Sequence, residues 1–158
     1  MLGKFFNLLP LNTAYAHCDI PCGIYDPHNA QMAAHTVIRM TQFLGEIKRK
    51  DETKAEHDIM RVTHVKEEHS NILEEELLTL RYDYFKEEHL KEFPDLVNSF
   101  PKALESITKA RTGIDMGAAK ETLENVMQIA EIFYKSKGLQ SQRVKAPYPT
   151  GLDIVVQK

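Results

Sequence analysis

The sequence predicts an all-α fold: an antiparallel four-helix bundle carrying an N-terminal metal-binding hook. Three observations lead there. Apolar residues recur at spacings of three and four in four separate stretches, the signature of helices with one buried face. Proline, glycine and aspartate punctuate the gaps between those stretches, and short gaps make antiparallel neighbours. The only run rich in thiol, imidazole and turn-forming residues, 17–27, stands directly before the first helical stretch. The chain therefore reads as a cleavable leader (1–16), the hook (17–27), the bundle (28–138) and a C-terminal extension (139–158).

The leader holds one lysine, Lys4, then Phe5, Phe6, Leu8, Leu9 and Leu11, and ends Ala14-Tyr15-Ala16, an Ala-x-Ala ending of the kind a processing peptidase cuts. Cutting after Ala16 makes His17 the first residue and takes the formal charge from −3 to −4, since Lys4 is the leader's one charge. Asp26-Pro27 closes the hook and opens the first helix, because aspartate is a favoured N-cap and proline suits the first helical position. Ala33, Val37, Met40, Leu44 and Ile47 carry that helix to about Lys48, where the solvated turn Lys48 to Glu52 follows. The second helix runs from about Thr53 to Arg81, with Val62, Val65, His69, Ile72, Leu73, Leu77, Leu80 and Tyr84 on one stripe. Lys66, Glu67, Glu68, Glu74, Glu75 and Glu76 are expected on its solvated face.

Tyr82 to Lys86 ends the second helix, and Phe93-Pro94 starts the third, with Val97, Phe100, Leu104 and Ile107 apolar and Pro101 predicting a kink or a break near Phe100. Gly113 stops it. Asp115 caps a fourth helix with Ala119, Leu123, Val126, Ala130 and Phe133 inward, finished by Lys135, Lys137 and Gly138. After Leu139 the helical period is gone. Ala146 to Gly151 is turn chemistry, and Leu152 to Val156 is suited to a short strand or to packing against a neighbour.

A chain of 158 residues, 42% hydrophobic and 27% charged, makes one domain. A formal charge of −3 with interleaved signs gives no footprint for nucleic acid, and no apolar run approaches the ~20 residues that cross a bilayer. Both cysteines lie in the hook, so a disulfide framework is not expected.

The hook reads His17-Cys18-Asp19-Ile20-Pro21-Cys22-Gly23-Ile24-Tyr25-Asp26-Pro27. Two thiols three residues apart, joined through proline and glycine and flanked by imidazole, offer donors that select late first-row metals. The residues alone leave three readings open: an enzyme metal centre, a non-catalytic nickel or copper carrier, and a thiol protein cycling Cys18 and Cys22. The whole run resembles the nickel hook of the nickel superoxide dismutase family.

That resemblance implies a great deal. It implies one nickel ion per subunit held by His17, Cys18 and Cys22, through the α-amine and imidazole of His17, the backbone nitrogen of Cys18 and both thiolates. Such donors favour square-planar Ni(II) and stabilise Ni(III), so superoxide, the implied substrate, is disproportionated to dioxygen and hydrogen peroxide. A dedicated maturation protease is implied as well, because the α-amine exists only after cleavage. Tyr25 is implied beside the open metal face, Asp19 in setting the turn, and Tyr84, in the stretch Asp83 to Lys86, as a second source of protons, with Lys86 attracting the anion. The positions matching the family's partners for the ligand histidine are Ala33 and His69, which leaves His69 or a backbone carbonyl to hold that imidazole. A homohexamer without nucleic-acid or membrane partners is implied. Thiol ligands suit the cytoplasm, while the leader permits export.

Overall fold

The computed structural model describes residues 22–158. The leader 1–16 and the hook residues His17, Cys18 and Asp19 lie outside the described residues. The remaining elements are α1 (His28–Glu46), α2 (Glu52–Thr79), a wide π turn (Leu80–Tyr84), α3 (Glu87–Glu92), α4 (Leu96–Thr112), α5 (Met116–Ser136), β1 (Ser141–Lys145) and β2 (Asp153–Gln157). The four long helices are the four read from periodicity. The short α3 is an extra turn in the connection between the second and third of them.

Capping follows the residue chemistry. Asp26 Oδ1 accepts from His28 N, the first residue of α1, at 2.7 Å, but Pro27 and not Asp26 stands at the N-cap, one position on from the expected arrangement. Asp51 accepts from Lys54 N at 3.1 Å, and Asp115 from Gly117 N and Ala118 N at 2.7 and 3.1 Å. The end of α5 is a Schellman motif: Gly138 sits at φ +71° while its N–H reaches Lys135 O and the Leu139 N–H reaches Tyr134 O, each at 2.9 Å. Gly113 also ends α4, though with an ordinary φ of −112°. A Cβ there would lie 3.2 Å from Lys109 O, so close approach explains that glycine, not a left-handed backbone.

α1 packs on α2 and α5, and α4 packs on α5. Ala30, Ala34, Val37 and Ile38 of α1, Leu73 and Leu77 of α2, Leu96, Phe100 and Ile107 of α4, and Leu123, Val126, Ile129 and Phe133 of α5 form the core. The far half of the α1–α2 pair is different. Met40, Phe43, Leu44 and Ile47 of α1 and Val62 and Val65 of α2 are only half-buried, and Ala55 is the one buried residue in the first half of α2. Ile72, expected on the inner stripe, is exposed.

A further expectation is corrected, and an alternative left open at Pro101 is decided. Lys66 is not on a solvated face: it is 2% exposed, and its Nζ donates to Ala110 O at 3.0 Å and to Gly113 O. The final carbonyls of a helix lack intrahelical donors, and this ammonium supplies them at the end of α4. Burial pushes the Lys66 pKa below that of ordinary lysine, with the charge of Glu67 acting in the opposite sense. Pro101 does not break the third long helix, since α4 runs through it. The carbonyl that loses its i+4 donor to Pro101 is that of Val97, a residue 55% exposed, so the group is not stranded in the core.

The C-terminal extension is an antiparallel hairpin, with Ser141 opposite Gln157 and Arg143 opposite Val155. It is bound to two helices. Gln31 on α1 donates Nε2–H to Val155 O (3.0 Å) and accepts from Val155 N (2.6 Å), as a neighbouring strand would. His35, one turn on, contacts Thr150 Oγ1 at 2.7 Å and Asp153 O at 3.2 Å. Arg143 bonds Glu124 and Glu131 of α5.

Candidate metal centre and its tyrosines

The hook enters the described structure at Cys22. Its side chain is exposed, and Sγ accepts from Ile24 N at 3.4 Å. Gly23 follows at φ +73°, a left-handed conformation that a side chain would strain, and this turns the chain sharply towards Tyr25. Among the described residues no three His, Cys, Asp or Glu side chains are grouped to hold a metal ion. The chemistry of Cys22 fits a metal donor: its thiol is exposed and already accepts one backbone N–H.

Tyr25 is half-buried and its ring lies 5.6 Å from that of Tyr84, centroid to centroid, at 50°. Two residues 59 positions apart in sequence thus meet beside the hook exit. The wide turn makes this meeting possible. In it Phe85 N reaches back to Leu80 O at 2.9 Å, an i to i+5 bond that re-aims the end of α2, as such turns often do at functional sites. Tyr84 also contacts Phe85 (4.8 Å) and Phe133 (4.7 Å) and stacks on His89 at 5.3 Å and 18°. Its hydroxyl lies 2.7 Å from Ser136 Oγ.

A cleft of about 170 Å³ opens beside Tyr25, lined by Ile24, Tyr25, Asp26, Asn29, Glu76, Thr79 and Leu80; Tyr84, packed against Tyr25, does not line it. Asn29 Nδ2 bonds Glu76 Oε1 at 3.2 Å across it, tying the start of α1 to the end of α2. Burial, then the nearby Asp26 carboxylate, push the Tyr134 phenol above its ordinary pKa.

Among the described residues, the cation found over the Tyr84 ring is one that sequence reading did not place at the site. Lys86 is exposed and donates to Tyr82 O at 3.2 Å, whereas Lys137 Nζ stands 5.1 Å from the centre of the Tyr84 ring and 5.0 Å from that of Phe133. His89 was missed too. It stacks on Tyr84 while its Nδ1 accepts from Lys86 N at 3.0 Å, and no motif in the sequence marks it. His69 and Ala33 do share one groove, with Asn29, Met32, Thr36, Ile72 and Glu76. His69 Nδ1 bonds Val65 O at 3.0 Å in its own helix, so Nε2 is the nitrogen left for another partner.

Known proteins match both sequence and fold. The profile of the nickel-containing superoxide dismutases matches residues 12–137. Two relatives called superoxide dismutase [Ni], from Streptomyces seoulensis and Streptomyces coelicolor, are each 30% identical over 137 residues, covering 87% of this chain and 98% of theirs. A native nickel superoxide dismutase structure superposes with a TM-score of 0.69 at 28% identity, over 77% of this chain and 99% of that one. A second, with nickel ligation corresponding to the oxidised state, gives 0.69 at 30% over the same shares. With the bundle, the hook exit and most of the chain matched, this protein belongs to the nickel-containing superoxide dismutase family.

Proposed function

We propose that the superoxide dismutase activity of this chain is assembled at its trimmed N-terminus, with His17, Cys18 and Cys22 as the nickel ligands and Tyr25 and Tyr84 as the groups that admit superoxide and manage its protons. The reaction turns two superoxide ions and two protons into dioxygen and hydrogen peroxide. Nickel, when bound, supplies the one-electron couple that takes an electron from one superoxide and returns it to the next. The convergence of Tyr25 and Tyr84 at 5.6 Å beside Cys22's loop carries the reading of the site. The carrier reading draws no support from the relatives, both of which are named as superoxide dismutases.

The chain's own residues do the remaining work. Cys22 presents sulfur at the loop mouth, and Gly23 gives the turn that brings Tyr25 over the cleft. The family resemblance assigns Asp19 to setting the turn ahead of Cys22. Tyr25 and Tyr84 bring two phenolic hydroxyls to the place where peroxide must leave protonated. Lys137 adds positive charge near an anionic substrate, which raises its local concentration.

Removal of 1–16 by a maturation protease switches the site on, because the α-amine of His17 is an amide until then. Self-association, as a homohexamer, is supported by the half-buried apolar stripe on the far half of α1 and α2. No helix among the described residues is long and apolar enough to cross a membrane. The cytoplasm, which keeps thiols reduced, is the compartment the ligands favour.

The test compares a chain beginning at His17 with one retaining Ala16, measuring bound metal and superoxide consumption. The reading expects nickel and activity only in the first. Equal activity in both, or zinc without activity in the trimmed chain, overturns it.

A further inference from the structure

Ser136, the last residue of α5, lies between two oxygens. Its Oγ is 2.7 Å from Phe133 O and 2.7 Å from the Tyr84 hydroxyl, each the usual length of an O–H···O bond. A serine hydroxyl has one proton, and a carbonyl can only accept. The proton of Ser136 therefore goes to Phe133 O, since two oxygens at 2.7 Å with no hydrogen between them would repel. It follows that Tyr84 donates to Ser136. The direction of the phenolic O–H is settled by a residue that no motif of the hook includes.

We propose that Ser136 is a positioning residue for the dismutase reaction: it accepts the Tyr84 O–H, so that towards Tyr25, whose ring lies 5.6 Å away, Tyr84 presents lone pairs and accepts. Tyr84 then orients the group that gives a proton to departing peroxide, the Tyr25 hydroxyl or a water, and does not give one itself. This rests on Tyr84 belonging to the site and refines its part there. The surroundings fit the role. The Tyr84 ring is fixed by His89, Phe85, Phe133 and Tyr25, so the torsion of its hydroxyl is the freedom that remains, and one hydrogen bond sets it. The helix end supplies the anchor: Phe133 O takes only a long 3.3 Å bond from Lys137 N, and its second lone pair is left for the serine.

The experiment has a spectroscopic arm and a kinetic arm. In proton NMR of the full-length chain, the Tyr84 hydroxyl gives a slowly exchanging resonance near the Ser136 β protons, identified by its absence in Y84F. It is lost in S136A and kept in S136T, which retains a hydroxyl at the same place. In the processed, nickel-loaded enzyme, S136A lowers turnover about fivefold, the factor of one net neutral hydrogen bond, and S136T restores it. In a Y84F background S136A adds nothing.

An unchanged hydroxyl resonance in S136A overturns the assignment of the bond. An equal loss from S136A in both backgrounds shows that Ser136 acts otherwise than through Tyr84, and overturns the proposal. Wild-type turnover in Y84F removes Tyr84 from the reaction and sinks the site reading instead, a result kept distinct because the NMR arm reports the bond without turnover.

Discussion

Replacing Gln31 by leucine tests how the hairpin is attached to the helix that leaves the hook. Gln31 is fully buried, and its amide answers both backbone groups of Val155, at 3.0 and 2.6 Å. Leucine nearly fills the same volume, so a cavity contributes little. What changes is that a buried N–H and a buried C=O lose their partners, at about 1–3 kcal/mol each. A destabilisation of about 2–6 kcal/mol follows. For a domain of this size that lowers Tm by roughly 4–24 °C. The assay is thermal and urea unfolding of Q31L against the parent chain, repeated in a chain ending at Gly138. Without the hairpin Val155 is absent, so there the same substitution should cost less than about 0.5 kcal/mol, as at an ordinary surface position. Equal effects in both lengths, or no effect in the full chain, would refute the reasoning.

Three further outcomes follow from other contacts. His35 lies buried between Asp153 O, which only accepts, and Thr150 Oγ1, so Nε2 carries the proton and Nδ1 accepts from the threonine. Burial pushes its pKa below the ordinary value, against the Asp153 carbonyl and carboxylate. The unfolded chain therefore takes up a proton first, and stability is lost as pH falls through about 6.5 towards the lower folded value; urea midpoints should drop over that window in the parent and drop less in H35Q. Lys66→Ala removes a buried stem and the donor that serves Ala110 O and Gly113 O, and should cost about 2–5 kcal/mol in urea unfolding. Cys22→Ser in the trimmed chain should weaken nickel binding by more than about 100-fold in a competition titration against a chelator, leaving the helical circular dichroism unchanged.

Much of this fold is written in local pattern. The four long helices, the Asp115 cap and the glycine after α5 follow from spacing and from side chains that act on their own backbone, so a single sequence exposes them. Lys66 was unreadable for the opposite reason. On a helical wheel a lysine beside Glu67 and Glu68 looks solvated, and only the arrival of α4's last turn, some 45 residues later, gives its ammonium a buried partner. The π turn is equally silent: Leu80-Arg81-Tyr82-Asp83-Tyr84 has no glycine or proline to announce a change of pitch. For the extension, Pro147, Pro149 and Gly151 disclosed a turn. The pairing of its strands and their attachment to Gln31 and His35 are non-local, and nothing in a short window records them.

The site divides along the same line. The proposed ligands, His17, Cys18 and Cys22, crowd into a few consecutive residues, as a single ion reached by a short loop requires, and such crowding is visible in any linear reading. The groups around the loop are brought from three places: Tyr25 ahead of α1, Tyr84 from the π turn and Ser136 with Lys137 from the end of α5. Their meeting depends on α1, α2 and α5 holding register to within a fraction of an ångström, since a 2.7 Å hydroxyl pair is lost by a displacement of even 1 Å. α1 is held at Asn29 to the end of α2, and at Gln31 and His35 to the hairpin, whose Arg143 is in turn bonded to α5. The extension, which lies beyond the matched residues 12–137, thus closes a ring of contacts through the helices whose ends bear the tyrosines. A loosened hairpin should accordingly show first at the Tyr84 hydroxyl, before any helix is lost.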